Sequence, residues 1–178
     1  SLGGFSPAAQ WMTIPFMAIG ATNFILIYYF VQGDWGRPLR NEEFRTYVGV
    51  LLGASGLLAL LLVFDGSTSL PAEATLRHAT FQVVSIMTTT GFATVDFNLW
   101  SSSSKHLLFV LMFLGGMAGS TTCSIKILRW LIVLKAFRRD LFTAVHPDAV
   151  RPVRLTGSVI DEETIRVISE DKDEPEWM

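Results

Sequence analysis

Ser85-Ile86-Met87-Thr88-Thr89-Thr90-Gly91-Phe92-Ala93-Thr94-Val95-Asp96-Phe97 is the stretch on which the fold turns. The residues before it, 72–87, read as one partly apolar helix. At ~1.5 Å per residue that helix is about 24 Å long, too short for a hydrocarbon core about 30 Å thick. The expectation is a half-helix that enters the membrane and stops. Beyond it, three threonines and a glycine offer carbonyls and hydroxyls at membrane depth, where non-helical backbone survives only inside protein or along a watery path. The partial negative charge at a helix C-terminus favours a cation held there and repels an anion.

An isolated Thr-Thr-Thr-Gly turn is common on soluble domains, so the surroundings decide. Hydrophobic residues make up 50% of the chain, charged residues only 17%, and the mean hydropathy is +0.41. Ordinary soluble domains carry about 25% charged residues. Residues 11–31 and 47–64 lack any formal charge, and residues 106–125 form a third apolar run interrupted by small residues. All three are expected to be membrane helices. A secretory signal would be a single N-terminal segment with a basic start, which this sequence does not show.

Arg37, Arg40 and Arg45 follow the first run, and Lys126, Arg129, Lys135, Arg138, Arg139, Arg151 and Arg154 follow the third. Only Arg77 and Lys105 lie between the second and third runs. The positive-inside rule then places residues 32–46 and everything after about 126 in the cytoplasm, and the Thr-Thr-Thr-Gly stretch outside. Trp100 fits an interfacial anchor, and Ser104 is the expected N-cap of the third helix. Gly3-Gly4-Phe5-Ser6 precedes the first run much as Thr90-Gly91-Phe92-Ala93 precedes the third, which suggests an internal repeat.

These residues resemble the membrane subunit of the Trk/Ktr/HKT potassium transporters, most closely the bacterial Trk type. The resemblance implies an all-α membrane protein built from helix–pore-loop–helix repeats of potassium-channel-like architecture, each giving one filter strand with a central glycine. It makes the backbone carbonyls of Thr88, Thr89, Thr90 and Gly91 the third repeat's potassium-binding strand, with Leu2, Gly3 and Gly4 the end of the second repeat's. Residues 1–31 then hold the end of a pore loop and the second helix of the preceding repeat, and 32–46 a cytoplasmic loop. Residues 47–125 hold one complete repeat, 126–160 a cytoplasmic helix and linker, and 161–178 an acidic tail. Asn41-Glu42-Glu43-Phe44-Arg45-Thr46-Tyr47 is similar to the family's lead-in to a repeat.

The family's second signature falls at 115–124. Gly115, Gly116, Ala118 and Gly119 interrupt an apolar run, and Ser120, Thr121 and Thr122 follow. A glycine inside a helix costs about 1 kcal/mol against alanine, so several together favour a break. The resemblance implies a movable intramembrane gate; close helix packing through small residues is the alternative. Met117 replaces the usual cysteine and Thr122-Cys123-Ser124 a glycine-rich triplet, which implies a stiffer gate or a variant subfamily. Lys126 and Arg129 serve as membrane anchors or as charges that repel cations at the gate. Residues 153–160, with Thr156-Gly157 at the turn, are an expected hairpin.

The implied function is potassium uptake across the bacterial cytoplasmic membrane by a multi-pass transporter, with potassium as cargo and no cofactor. A scaffold or receptor with a purely structural re-entrant loop is the alternative. Implied partners are membrane lipid, the remaining repeats, a second copy in a homodimer, and a cytoplasmic nucleotide-binding regulatory subunit. Missing first and fourth repeats imply a fragment or truncated product. One cysteine excludes an internal disulfide, and scattered His78, His106 and His146 give no metal motif. Gly119-Ser120 lacks a nearby histidine base, so no enzyme is expected, and a net charge of −2 gives no case for nucleic acid.

Overall fold

The structure is a computed structural model that describes residues 2–66, 70–145, 154–155 and 158–159. The expected acidic tail and most of the linker, including His146, lie outside these residues. The chain divides into two units, Ser1–Ile127 and Leu128–Met178.

In the first unit, α1 (Pro7–Gly20) begins where Ser6 Oγ accepts the Ala9 N–H at 3.3 Å, with Pro7 in the first helical position. α2 (Phe24–Val31) follows at an angle of 115°. The single straight helix expected over residues 11–31 is therefore corrected to a bent pair. Gly20 is a weak helix former, Thr22 Oγ1 bonds back to the Ala18 carbonyl at 3.0 Å, and Asn23 Oδ1 accepts the Ile25 N–H at 2.8 Å to start a new helix. Local chemistry thus outweighs the apolar run.

The expected loop 32–46 is mostly helical. α3 (Gly36–Arg40) fills its centre, and Asn41 caps α4 (Glu42–Phe64) by accepting the Phe44 N–H at 3.1 Å. Glu42 and Glu43 then sit in a first turn that favours carboxylates. α4 has 23 residues and a mean hydropathy of 2.3 in its most apolar window. Among the described residues it is the one unbroken helix long and apolar enough to cross a membrane, or one of two spans if the bent pair counts as one. Three such helices were expected.

The third apolar run does not make a full helix. α6 (Ser102–Leu111) stops early, and residues 112–126 run through turns to α7 (Ile127–Val145). Ser101, rather than Ser104, is the N-cap: its hydroxyl accepts the Ser104 N–H at 3.3 Å and donates to Asp65 at 2.6 Å. That tie to the end of α4 selects among four consecutive serines.

α5 (Ala72–Met87) lies against α4, α1 and α6 and is buried on several sides. Phe81, Val83, Val84 and Met87 form the core with Leu58 and Leu62 of α4. Tyr47 of α4 donates its hydroxyl to the Ala18 carbonyl at 3.0 Å, which ties α4 to the end of α1. A long apolar helix, a shorter buried helix and a third helix in that order, here α4, α5 and α6, is the layout of a helix–pore-loop–helix repeat. In the second unit, α7 continues and β1 (Arg154–Leu155) pairs antiparallel with β2 (Ser158–Val159).

Candidate functional site

At the end of α5 the chain turns back on itself. Thr88 N–H still bonds to Val84, and then Thr90 N–H (3.0 Å) and Gly91 N–H (3.4 Å) both reach the Ser85 carbonyl. This reversal needs positive φ at two residues, Thr89 at 54° and Gly91 at 79°. The glycine adopts that conformation without steric cost. The Thr88 and Thr90 hydroxyls bond across the turn at 2.7 Å. Beyond it, Ser85 Oγ donates to the Phe92 carbonyl at 2.5 Å and His78 Nδ1 meets the Thr94 hydroxyl at 2.8 Å. Residues 88–94 therefore retrace α5 toward its start.

Among the described residues, the carbonyls of Thr88, Thr89, Thr90 and Gly91 accept no hydrogen bond, whereas those of Phe92 and Ala93 do. Thr89, Thr90 and Gly91 are exposed. The loop thus presents a row of free backbone oxygens beside the C-terminal end of a buried half-helix, a local arrangement that attracts a cation.

The N-terminal segment joins this loop through Leu2 N–H, which donates to the Ala93 carbonyl at 2.8 Å. Leu2–Gly4 is a single 3₁₀ turn, and positive φ at Gly91 is not repeated at Gly4. The two glycines matched in sequence therefore differ in backbone conformation. Gly3 and Gly4 are exposed. The Leu2 carbonyl is already taken by Phe5 N–H and by Gln10 Nε2, so Leu2 braces the segment rather than facing an ion.

Buried Gln10 holds this turn: its Nε2 donates to the carbonyls of Leu2 (3.0 Å) and Phe5 (3.2 Å), and its Oε1 accepts from Arg77 of α5. Arg77 Nε pairs with Glu73 at 3.1 Å, and Glu73 also accepts the Trp11 indole N–H at 2.9 Å. At the exposed first turn of α5, the hydrogen bonds from Trp11 and Arg77 hold the Glu73 carboxyl below the ordinary carboxylate range.

Residues 115–124 form a compact irregular segment seated on the break between α1 and α2. Met117 N–H donates to the Ala21 carbonyl at 3.0 Å, Asn23 Nδ2 to the Ala118 carbonyl at 2.7 Å, and Thr121 Oγ1 to the Gly20 carbonyl at 3.2 Å. Gly116 packs so closely that a Cβ there would lie 2.6 Å from the Ala21 oxygen. Within the segment, Gly115 N–H bonds to Ile125, Gly116 N–H to Thr122 Oγ1, and Ser120 Oγ to the Met117 carbonyl. Gly119 turns the chain at φ 77°. The remaining side is held by Glu43 of α4, only 7% exposed, whose Oε1 accepts the Ala118 N–H at 2.6 Å.

Glu43→Ala is expected to loosen this seat. Losing a charge-assisted bond from a buried carboxylate and leaving a half-buried N–H without its partner costs about 1–3 kcal/mol. Backbone hydrogen exchange over residues 115–124 should then rise about tenfold or more, with little change in α5. Unchanged exchange would mean that Glu43 does not hold the segment.

The family model for TrkH, described as cation transport protein, matches residues 1–168. The chain belongs to the TrkH family. A Trk system potassium uptake protein TrkH of Halomonas elongata is 45% identical over 159 residues, 87% of this chain and 32% of that protein. The corresponding TrkH of Escherichia coli is 34% identical over 170 residues, 94% of this chain and 35% of that protein. The crystal structure of the potassium transporter TrkH from Vibrio parahaemolyticus superposes with a TM-score of 0.88 at 32% identity, covering 95% of this chain and 37% of that one. The chain thus spans about a third of the length of these TrkH relatives.

Within this TrkH-family segment the structure brings Thr88, Thr89, Thr90 and Gly91 next to the Leu2–Gly4 turn, and keeps Gly115 to Thr122 together in the other irregular segment. Gln10, Glu73, Asn23 and Glu43 were not singled out from sequence, and Arg77 entered only as a charge count. A lone arginine on a short membrane-entering helix was the available signal, because ionisable groups at such depth are retained for a reason.

Proposed function

We propose that this chain forms part of a potassium-uptake transporter in the bacterial cytoplasmic membrane. Potassium sheds water against the carbonyls of Thr88, Thr89, Thr90 and Gly91, with the Gly3-Gly4 turn as a second wall. The observation that carries this reading is the row of unbonded carbonyls at the end of buried α5. Names of relatives in the same family support potassium as the ion.

In this reading residues 115–124 are an intramembrane gate below the filter, seated on the α1–α2 break. Residues 32–46 and the chain after about 126 face the cytoplasm, and α5 enters from outside. The pore is completed by further repeats outside these residues, the transporter pairs as a homodimer, and the cytoplasmic side meets a nucleotide-binding regulatory subunit. The protein is a carrier or channel of ions and performs no catalysis.

Growth rescue tests this directly. The full gene product containing these residues is expected to restore growth at low potassium to bacteria deficient in potassium uptake, and sodium should not substitute. A well-expressed product without rescue would overturn potassium uptake and favour a structural role for the re-entrant loop.

A further inference from the structure

Arg77 is 6% exposed and Gln10 2%, yet neither stands in the row of free carbonyls. Burying a guanidinium is costly unless its donors are used, and here they are used in a directional way. The Nε donor goes to Glu73 at the exposed end of α5. The Nη1 donor goes to Gln10 Oε1 on α1. A buried amide could otherwise turn over, exchanging its oxygen and nitrogen. With a guanidinium on one side, the oxygen must face it. The Nε2 hydrogens are then aimed at the carbonyls of Leu2 and Phe5, at 3.0 and 3.2 Å.

The two segments of the candidate filter are therefore connected twice. One connection is the backbone bond from Leu2 to Ala93. The other runs through side chains, from α5 through Arg77 and Gln10 to the Leu2–Phe5 turn, and Trp11 anchors its outer end on Glu73. We propose that Arg77 and Gln10 are positioning residues for ion selection, setting the separation between the Leu2–Phe5 turn and the Thr88–Gly91 row. Carbonyl sites discriminate ions through spacing and oxygen field, so displacing one wall changes selectivity before it abolishes passage. This inference rests on residues 88–91 being the ion path.

Gln10→Glu is the discriminating variant. It is isosteric and keeps an acceptor for Arg77, but replaces two N–H donors with an oxygen facing two carbonyls. Arg77→Lys keeps the buried cation and loses the fork that serves Glu73 and Gln10 together. In the full gene product, the ratio of potassium to sodium uptake should fall about tenfold in Gln10→Glu and move the same way in Arg77→Lys. Gly91→Ser serves as the control on the filter itself. If Gly91→Ser lowers the ratio while both relay variants stay within about twofold of the parent, the positioning role is overturned and the filter reading stands. If Gly91→Ser also leaves the ratio unchanged, both fall. Should Gln10→Glu fail to reach the membrane, the Arg77→Lys ratio decides alone: a fall supports the role, and an unchanged ratio overturns it.

Discussion

Bacteria deficient in potassium uptake and carrying the full gene product with Gly91→Ser are expected to stop growing at low potassium, although the protein reaches the membrane in unchanged amount. Gly91 sits at φ 79° with no atom within 4 Å of a built Cβ, so the conflict is one of backbone angle rather than space. An L side chain in that region costs about 1–2 kcal/mol. The chain relieves the strain by rotating the peptide groups on either side, and those groups carry the carbonyls of Thr90 and Gly91. The Ser85 contacts to Gly91 N–H and the Phe92 carbonyl fix the loop on both sides, leaving the row itself to yield. Gly4→Ala is a matched comparison: that position has neither positive φ nor a close neighbour, and growth should be far less affected. Equal loss from both substitutions would contradict the distinct roles of the two turns.

The second large effect is expected at Gly116. An alanine there places Cβ 2.6 Å from the Ala21 carbonyl oxygen, 2.9 Å from the Ala21 Cβ and 3.0 Å from the Thr122 methyl. Two of these belong to the α1–α2 break, which cannot move without disturbing Met117 N–H and the Asn23 cap. Overpacking of about 1–3 kcal/mol, with a lost hydrogen bond of about 1 kcal/mol, should lower the melting temperature in detergent by about 5 °C or more. On the gate proposed for this segment, potassium uptake should also no longer match that of the parent protein at equal expression. An unaltered melting temperature would show that the segment does not rest on Ala21.

Several parts of this architecture could be read from sequence because the deciding signals are local. Pro71 before and the threonine run after set the limits of α5, and Gly91 stands where the reversal needs positive φ. Glycines at 115, 116 and 119 announced a helix break. The bend at 21–23 was hidden inside an apolar run, because hydropathy counts residues and does not register an asparagine that caps the start of a new helix. Ser101 was indistinguishable from its serine neighbours until Asp65, supplied by α4, selected it. The same holds for Gln10 with Arg77 and for Glu43 with Ala118, whose meaning lies in partners 67 and 75 residues away.

The seat beneath residues 115–124 also has a chronology. Asn23 precedes Ala118 by 95 residues, and Glu43 precedes it by 75. At ~5–20 residues per second, both are synthesised about 4–20 s before the segment they receive. The nascent chain thus builds the mould before it makes the casting, and the irregular segment, whose peptide groups no helix satisfies, emerges into a place already able to satisfy them.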